Sequence, residues 1–286
     1  MFQLKDYDSI GFVSSSNGLD IKLKSNINDL INLFSSININ IVISKSLFKD
    51  ENNNTYSGLT RAKEIMDLFK DPSIKAIFDL SGGDLCNEVL NYLDFDIIKK
   101  YNKPFFGYSD VSVLINSIFN NSKIISYNYQ LRNLLMDESK TQIQNFKNTF
   151  LKGGNDLFDF KYNFLQGTSM AGIIIGGNIR CFLKLAGTKF MPNFDNKILF
   201  LEGLSGDINK ISTFLEQYNQ LGAFDKVNGI LLGTFTELEN SYPLDFVCNL
   251  LVNKINRKNL PIAKTQELGH SSNSKAIAIG KFISLK

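Results

Sequence analysis

The sequence predicts an α/β fold in two parts. Apolar runs alternate with amphipathic helical stretches through the first half of the 286 residues, which is typical of a parallel sheet covered by helices. After about residue 168 the apolar runs outnumber the helical stretches, which indicates a smaller, β-rich α+β domain. A stretch without clear period separates the two patterns over residues 152–168. We therefore predict an N-terminal domain over residues 1–160 and a C-terminal domain over residues 168–286.

Four strand-then-helix units justify the N-terminal prediction. Apolar runs predict strands over residues 10–13, 39–43, 74–80 and 104–106. Helical spacing of apolar residues follows each of them, at residues 27–34, 61–70, 89–93 and 111–119. In the second part, strands are predicted over residues 172–175, 198–201, 229–235 and 276–285, and helices over residues 207–221 and 244–255. The first part is therefore predicted to form a doubly wound α/β domain.

Composition excludes several classes of protein. Three scattered cysteines, Cys86, Cys181 and Cys248, have neither a disulfide framework nor the paired spacing of a zinc site. The charge of +3 from 31 basic and 28 acidic residues is too balanced to predict a nucleic-acid or membrane surface. The N-terminus carries charges where a signal peptide would be apolar, so we expect a cytoplasmic protein. We expect no metal and no cofactor.

The segment over residues 104–111 has the layout of a nucleophile elbow. A predicted strand runs into Gly107, Ser109 follows, and a predicted helix begins directly afterwards. Such a turn would lift Ser109 Oγ clear of the sheet and aim the N–H of Asp110 at the same point. The second glycine of the usual G-x-S-x-G pattern is missing, so a simple helix-capping turn is the alternative.

A second candidate segment, Ser81-Gly82-Gly83-Asp84, follows the third predicted strand. Ligands of open parallel sheets bind at this edge, and the glycines let a backbone N–H approach a developing oxyanion. An ordinary strand-to-helix turn is the alternative.

The only histidine, His270, lies in a polar segment that contains glycine, and an exposed histidine without a role is the alternative. Glu202 directly follows an apolar strand. It either begins a surface turn or holds an imidazole in one tautomer.

Two further features compete with these candidates. Cys86 lies near the start of a predicted helix, where the helix dipole would lower the pKa of a thiol nucleophile. A small core residue is the alternative for Cys86. The turn over residues 14–18 could hold a phosphate at the N-terminus of the following helix, although no phosphate-binding motif supports this.

These segments together resemble the LD-carboxypeptidase family of serine peptidases, which also contains the microcin C immunity peptidases. The resemblance covers nearly the whole chain, through IGFVSSSNG, RAKEIMDLFKDPSIKAIFDLSGGD, KPFFGYSDVSVL, GIIIGGNIRCFLKLAGTKFMP, ILFLEGL, GILLGTF and PIAKTQELGH. It implies a catalytic triad in which Ser109 is the nucleophile, Glu202 the acid and His270 the base. It also implies a flavodoxin-like N-terminal domain, a cleft between the domains and a homodimer.

The activity expected from this resemblance is hydrolysis of an amide bond in a small peptide, with the N–H groups of Gly83 and Asp110 binding the oxyanion. The preferred substrate is a murein tetrapeptide that loses its terminal D-Ala. One alternative is cleavage of peptidyl-nucleotide antibiotics, since residues 81–100 resemble the microcin branch. That branch stacks a nucleotide base, often on tryptophan; this chain has none, and Phe158, Phe160 or Tyr162 would have to substitute. A catalytically inactive cytoplasmic ligand-binding protein is the alternative from another class.

Overall fold

The computed structural model describes residues 2–286 and contains two six-stranded sheets. Each sheet is mostly parallel and flanked by helices. The strands are β1 (Ser9–Val13), β2 (Asn40–Ile43), β3 (Ile74–Asp79), β4 (Phe105–Gly107), β5 (Ser126–Asn128), β6 (Asn163–Gln166), β7 (Met170–Asn178), β8 (Lys197–Gly203), β9 (Gly229–Phe235), β10 (Ile262–Lys264), β11 (Ile277–Ile279) and β12 (Phe282–Leu285). The α-helices are α1 (Lys24–Ser35), α2 (Gly58–Lys70), α3 (Phe95–Tyr101), α4 (Ser112–Ser122), α5 (Ser139–Phe150), α6 (Ile179–Phe182), α7 (Ile208–Gln220), α8 (Thr236–Ser241) and α9 (Leu244–Ile255). The predicted two-part α/β fold is confirmed.

The first sheet has the strand order β11-β5-β4-β3-β1-β2, and only the β11–β5 pair is antiparallel. The central strand β3 is buried on both faces, because Ile77 belongs to one apolar cluster and the next residue, Phe78, to the other. The carboxyl ends of β3 and β4 lie side by side at one edge of this sheet. Side chains that follow these two strands therefore meet at that edge.

The second sheet has the strand order β12-β7-β8-β9-β10-β6, with β7 to β10 parallel and the two outer strands antiparallel. The C-terminal half is thus more parallel than the prediction of an α+β domain suggested. The short strands β6 and β10 were not predicted. β6 lies inside the stretch over residues 152–168, and its alternating exposed and half-buried side chains give no apolar run.

The prediction of one strand over residues 276–285 is wrong. The chain turns at Gly280, where φ is +90°, and the segments on either side enter different sheets. β11 pairs with β5 of the first sheet, whereas β12 pairs with β7 of the second. The predicted helix over residues 89–93 is also different, since a 3-10 helix spans Cys86–Tyr92 and α3 follows it.

The two sheets are joined by a shared core and by polar contacts. One apolar cluster contains residues of both halves, such as Phe105 and Ile174. In addition, the Asn116 amide on α4 donates to the Gly176 carbonyl at 2.7 Å and accepts the Gly176 N–H at 2.9 Å. These paired bonds fix β7 against α4. Within residues 2–286, no helix is long and apolar enough to cross a bilayer.

Candidate active site

Ser109 lies on a sharp turn at the end of β4. The strand ends at Gly107, and a 3-10 helix, Ser109–Val111, leads into α4. Ser109 has a φ of +56°, a conformation that an L-residue adopts at a cost of about 1–2 kcal/mol. Gly107 cannot carry a side chain, because a Cβ there would overlap the Val111 side chain. The strand, strained serine and helix form the geometry expected of a nucleophile elbow.

Glu202 and His270 meet in the interior of the protein. Glu202 lies at an irregularity in the β8–β9 pairing, between Leu201 and Gly203, which redirects its side chain. Its Oε2 lies 2.6 Å from His270 Nδ1, and both side chains are almost fully buried. His270 is positioned by Gly269, where φ is +145° and a Cβ would overlap Thr234 Oγ1. This hydrogen bond fixes the imidazole in one orientation.

The elbow and the histidine are brought together through Tyr108. The Tyr108 ring, next to Ser109 in the chain, packs against the His270 ring with centroids 4.6 Å apart. His270 Nε2 is buried and has no hydrogen-bond partner among residues 2–286, so Ser109 Oγ is not bonded to it. Catalytic hydrogen bonds are often long in a protein without substrate and shorten in the complex. The imidazole nitrogen that a base would use is therefore available.

Two other acids near these segments do not contact the histidine. Asp84 pairs with Arg180 at 2.7 Å. Glu267 accepts the Lys161 N–H at 2.9 Å and lies 3.4 Å from Lys275 Nζ. Glu202 is thus the carboxylate that orients His270.

Gly83 lies in a loop that is held from both halves of the protein. Its φ is +124°, and a Cβ would overlap the Asn17 side chain. Asn17 Oδ1 accepts the Asp84 N–H at 2.9 Å, while the Gly83 carbonyl accepts from Arg180 at 3.4 Å. A side chain at position 83 is therefore excluded by geometry.

The Asp110 carboxylate connects the elbow to its surroundings, a role that the sequence analysis missed because it considered only the Asp110 backbone. The carboxylate is fully buried and accepts from Ser16 Oγ at 2.6 Å and from the Cys86 N–H at 2.9 Å. Lys184 Nζ donates to it at 2.5 Å from the 3-10 helix Leu183–Leu185. The Ser-Asp pair that follows Tyr108 was a possible signal, since an aspartate inside an elbow needs partners.

Cys86 is not placed to act as a nucleophile. Its side chain is fully buried, and burial raises the pKa of the thiol well above its usual range. The negative charges of Asp110 and Asp79 raise this pKa further. A thiol that stays protonated is inert, so Cys86 is the small core residue of the alternative interpretation.

The turn over residues 14–18 does not form a phosphate cradle. The N–H groups of its residues 15–18 are all engaged, by Asp79 Oδ2, Ser81 Oγ, the Gly82 carbonyl and Thr55 Oγ1 respectively. Its carbonyls at positions 15 and 16 accept from the buried Arg61 guanidinium. No backbone N–H of these four residues remains for an anion, and α1 begins only at Lys24.

The surface also has a groove away from Ser109, Glu202 and His270. A groove of about 750 Å³ runs along β6 and the start of α9 and is lined by Tyr162, Asp245 and Glu267, but not by Ser109, Glu202 or His270. Within residues 2–286, no group of three or more His, Cys, Asp or Glu side chains is arranged to hold a metal ion.

Models of two known protein-family domains match this chain. A model of the LD-carboxypeptidase N-terminal domain matches residues 10–129, and a model of the LD-carboxypeptidase C-terminal domain matches residues 171–285. The chain belongs to the LD-carboxypeptidase family. The predicted family of peptidases is therefore confirmed.

Individual relatives agree with this assignment. The chain is 25% identical to the "Probable murein peptide carboxypeptidase" of Bacillus subtilis, over 77% of this chain and 71% of that protein. It is 23% identical to the Microcin C7 self-immunity protein MccF of Escherichia coli, over 96% of this chain and 89% of that one. The structure of wild-type MccF has a TM-score of 0.87 and covers 99% of this chain and 94% of that chain, at 21% identity. Muramoyltetrapeptide carboxypeptidase from Oxalobacter formigenes has a TM-score of 0.77 at 20% identity, covering 96% and 94% of the two chains.

Proposed function

We propose that this member of the LD-carboxypeptidase family is a serine carboxypeptidase whose triad consists of Ser109, His270 and Glu202. The buried hydrogen bond of 2.6 Å between Glu202 and His270, beside the strained turn at Ser109, carries this proposal. A charged carboxylate buried against an imidazole is costly unless it is paired, and its second oxygen, Oε1, has no partner within residues 2–286. Such a pair suits a histidine that becomes cationic during each turnover.

The reaction proceeds in two halves. Ser109 Oγ attacks the carbonyl carbon of the scissile amide while His270 Nε2 takes the hydroxyl proton, and the N–H groups of Gly83 and Asp110 donate to the resulting oxyanion. The C–N bond then breaks, and His270 returns the proton to the leaving amine. Water attacks the acyl-enzyme in the same way and releases the carboxylate product and Ser109. Throughout, Glu202 accepts the Nδ1–H and stabilises the imidazolium.

The proposed substrate is a murein tetrapeptide, from which the enzyme releases the terminal D-Ala. The names of the Bacillus subtilis and Oxalobacter formigenes relatives support this substrate class. MccF, in contrast, has been solved in complex with aspartyl sulfamoyl adenosine and with glutamyl sulfamoyl guanosine. This chain has no tryptophan to stack on a base, and Phe158 is packed against Tyr127 and Phe150. Only Phe160 and Tyr162 of the three predicted stacking residues then remain, in contact with each other.

Mass spectrometry tests this function directly. The protein is incubated with an L,D-linked tetrapeptide and, in parallel, with a peptidyl-aspartyl nucleotide. We expect the tetrapeptide to lose alanine and the nucleotide conjugate to remain intact, with no activity in Ser109→Ala. Cleavage of the conjugate alone would establish the microcin-type activity instead. Binding without cleavage of either would identify a catalytically inactive ligand-binding protein.

Two further predictions concern the protein rather than its reaction. We propose that the chain forms a homodimer, as the family resemblance implies. Sedimentation equilibrium tests this by comparing the molecular mass in solution with the 32.2 kDa of one chain. We also propose a cytoplasmic location, which fractionation of the host cell tests. A monomer, or recovery outside the cytoplasm, would contradict the respective prediction.

A further inference from the structure

Within residues 2–286, Arg132 differs from the other three arginines in having no carboxylate partner. The chain has four arginines. Arg61 pairs with Glu88, Arg180 with Asp84 at 2.7 Å, and Arg257 with Asp225 at 2.6 Å. Within residues 2–286, no acidic side chain pairs with Arg132, and its Nε is buried without any hydrogen-bond acceptor. A buried guanidinium donor without an acceptor is unfavourable, so a ligand would be bound there at a gain.

A second unsatisfied donor lies on the same turn. Gln130 is 2% exposed, and its Nε2 has no partner among residues 2–286. Its Oε1 accepts the backbone N–H of Arg132 at 3.1 Å, so the amide oxygen is fixed and the amide nitrogen carries the free donors. Two neighbouring side chains thus offer only donors, which is the chemistry that binds an anion.

This turn lies next to the nucleophile elbow. β5 pairs with β4 in a register that sets Asn128 opposite Gly107, and the Tyr129 N–H donates to the Gly107 carbonyl at 3.1 Å. The chain then enters the 3-10 helix Leu131–Leu135. Arg132 therefore leaves the sheet at the same edge as Ser109, one strand away.

Tyr108 relates Arg132 to the histidine. Burial raises the pKa of the Tyr108 hydroxyl, and the positive charge of Arg132 opposes this rise, as do the polar side chains of Gln130 and Arg132, which both lie close to this hydroxyl. The Tyr108 ring also packs against the His270 ring, with the two ring centroids 4.6 Å apart. A catalytic histidine must protonate the leaving amine, so the leaving residue lies over the imidazole. Arg132 therefore lies close to the tyrosine that packs on this imidazole.

Resting on the proposed function, we propose that Arg132, assisted by Gln130, binds the free α-carboxylate of the residue that the enzyme releases. A guanidinium presents two parallel N–H groups that match both oxygens of a carboxylate. A substrate that lacks this charge leaves the buried donors unsatisfied. Arg132 therefore restricts the enzyme to the last peptide bond and excludes internal ones.

A pair of substrates tests the assignment. The tetrapeptide with a terminal D-Ala carboxylate is compared with the same peptide ending in D-Ala amide. We expect wild type to prefer the acid, and Arg132→Gln to raise KM for the acid by about 10- to 100-fold while changing the amide by less than about 3-fold. Arg132→Lys, which keeps the charge but not the fork, should retain part of the preference. Arg257→Gln, which removes an arginine that is paired with Asp225, is the matched control and should keep the full preference.

Two outcomes would overturn the assignment. One is an unchanged acid-to-amide ratio in a folded Arg132→Gln protein, and the other is loss of the preference in Arg180→Gln, which would place the carboxylate at the arginine beside Gly83. Calorimetry on Ser109→Ala separates this inference from the proposed function, because it needs no turnover. N-acetyl-D-alanine should bind to S109A more tightly than its amide and lose this advantage in S109A/R132Q; equal binding would reject the carboxylate site whether or not wild type cleaves the peptide.

Discussion

Lys184 Nζ lies 2.5 Å from Asp110 Oδ1, and this ion pair ties the elbow of the first sheet to the segment after α6 in the other half of the protein. Asp110 is fully buried, while Lys184 is 19% exposed. The same carboxylate accepts from Ser16 Oγ and the Cys86 N–H. The position of the residue after Ser109 therefore depends on contacts with three other segments.

Removing the Lys184 ammonium group should lower the stability of the folded protein. Lys184→Met leaves the Asp110 carboxylate buried with two neutral donors, so we expect unfolding free energy to fall by about 3 kcal/mol, as when one partner of a buried pair is removed. Urea denaturation measures this change. Lys254→Met, on the exposed face of α9, should stay within about 0.5 kcal/mol of wild type. Equal stability of the two variants would show that Asp110 is held adequately without Lys184.

The strained turn predicts different behaviour for two substitutions of Ser109, the proposed nucleophile. Ser109→Ala and Ser109→Gly should both abolish turnover, because neither has an Oγ. Since φ at this position is +56°, the glycine variant should be more stable than the alanine variant by up to about 1 kcal/mol in thermal unfolding. Cys86→Ala is the control and should keep most of its activity, since burial holds the Cys86 pKa well above its usual range. Full activity of Ser109→Ala with loss in Cys86→Ala would move the nucleophile to the thiol.

Glu202 should act through His270 rather than on the substrate. Glu202→Gln can offer an N–H to Nδ1 and so favour the wrong tautomer, which lowers kcat by about 10⁴ in a comparable triad. We expect KM to change little. Glu267→Gln is the matched control, because Glu267 lies three residues before His270 yet bonds to Lys161 and Lys275 instead. A Glu202→Gln rate within a few-fold of wild type would make Glu202 a structural residue.

The single histidine makes the pH dependence easy to assign. As a general base His270 must be neutral, so kcat/KM should fall with one ionisation as the pH is lowered. The imidazole signal followed by NMR in the free enzyme should titrate over the same pH range as kcat/KM. His270→Ala should remove the activity and the acid limb together. A rate that is flat across this range, or that persists in the alanine variant, contradicts the triad.

The sequence by itself determined the local features of the site. A strand, a glycine, a serine and a helix in succession predict the elbow at Ser109, because each of these patterns depends on neighbours in the chain. The same holds for the Gly83 turn, whose φ is positive, and for Glu202 at the end of an apolar strand. Strand and helix periodicity likewise predicted the order of most elements, since burial of one or both faces imposes that periodicity locally.

Tertiary structure alone decided which of these features meet. Glu202 and His270 are 68 residues apart, and only the packing of the chain brings Oε2 to 2.6 Å from Nδ1. The apolar run around Gly280 could not show that its two halves enter different sheets, because β11 and β12 have the same pattern and register is set by the partner strand. Arg132 gave no signal at all in the sequence. Whether a buried donor such as Arg132 Nε finds an acceptor depends on which groups the folded chain places around it. The sequence alone does not contain that information.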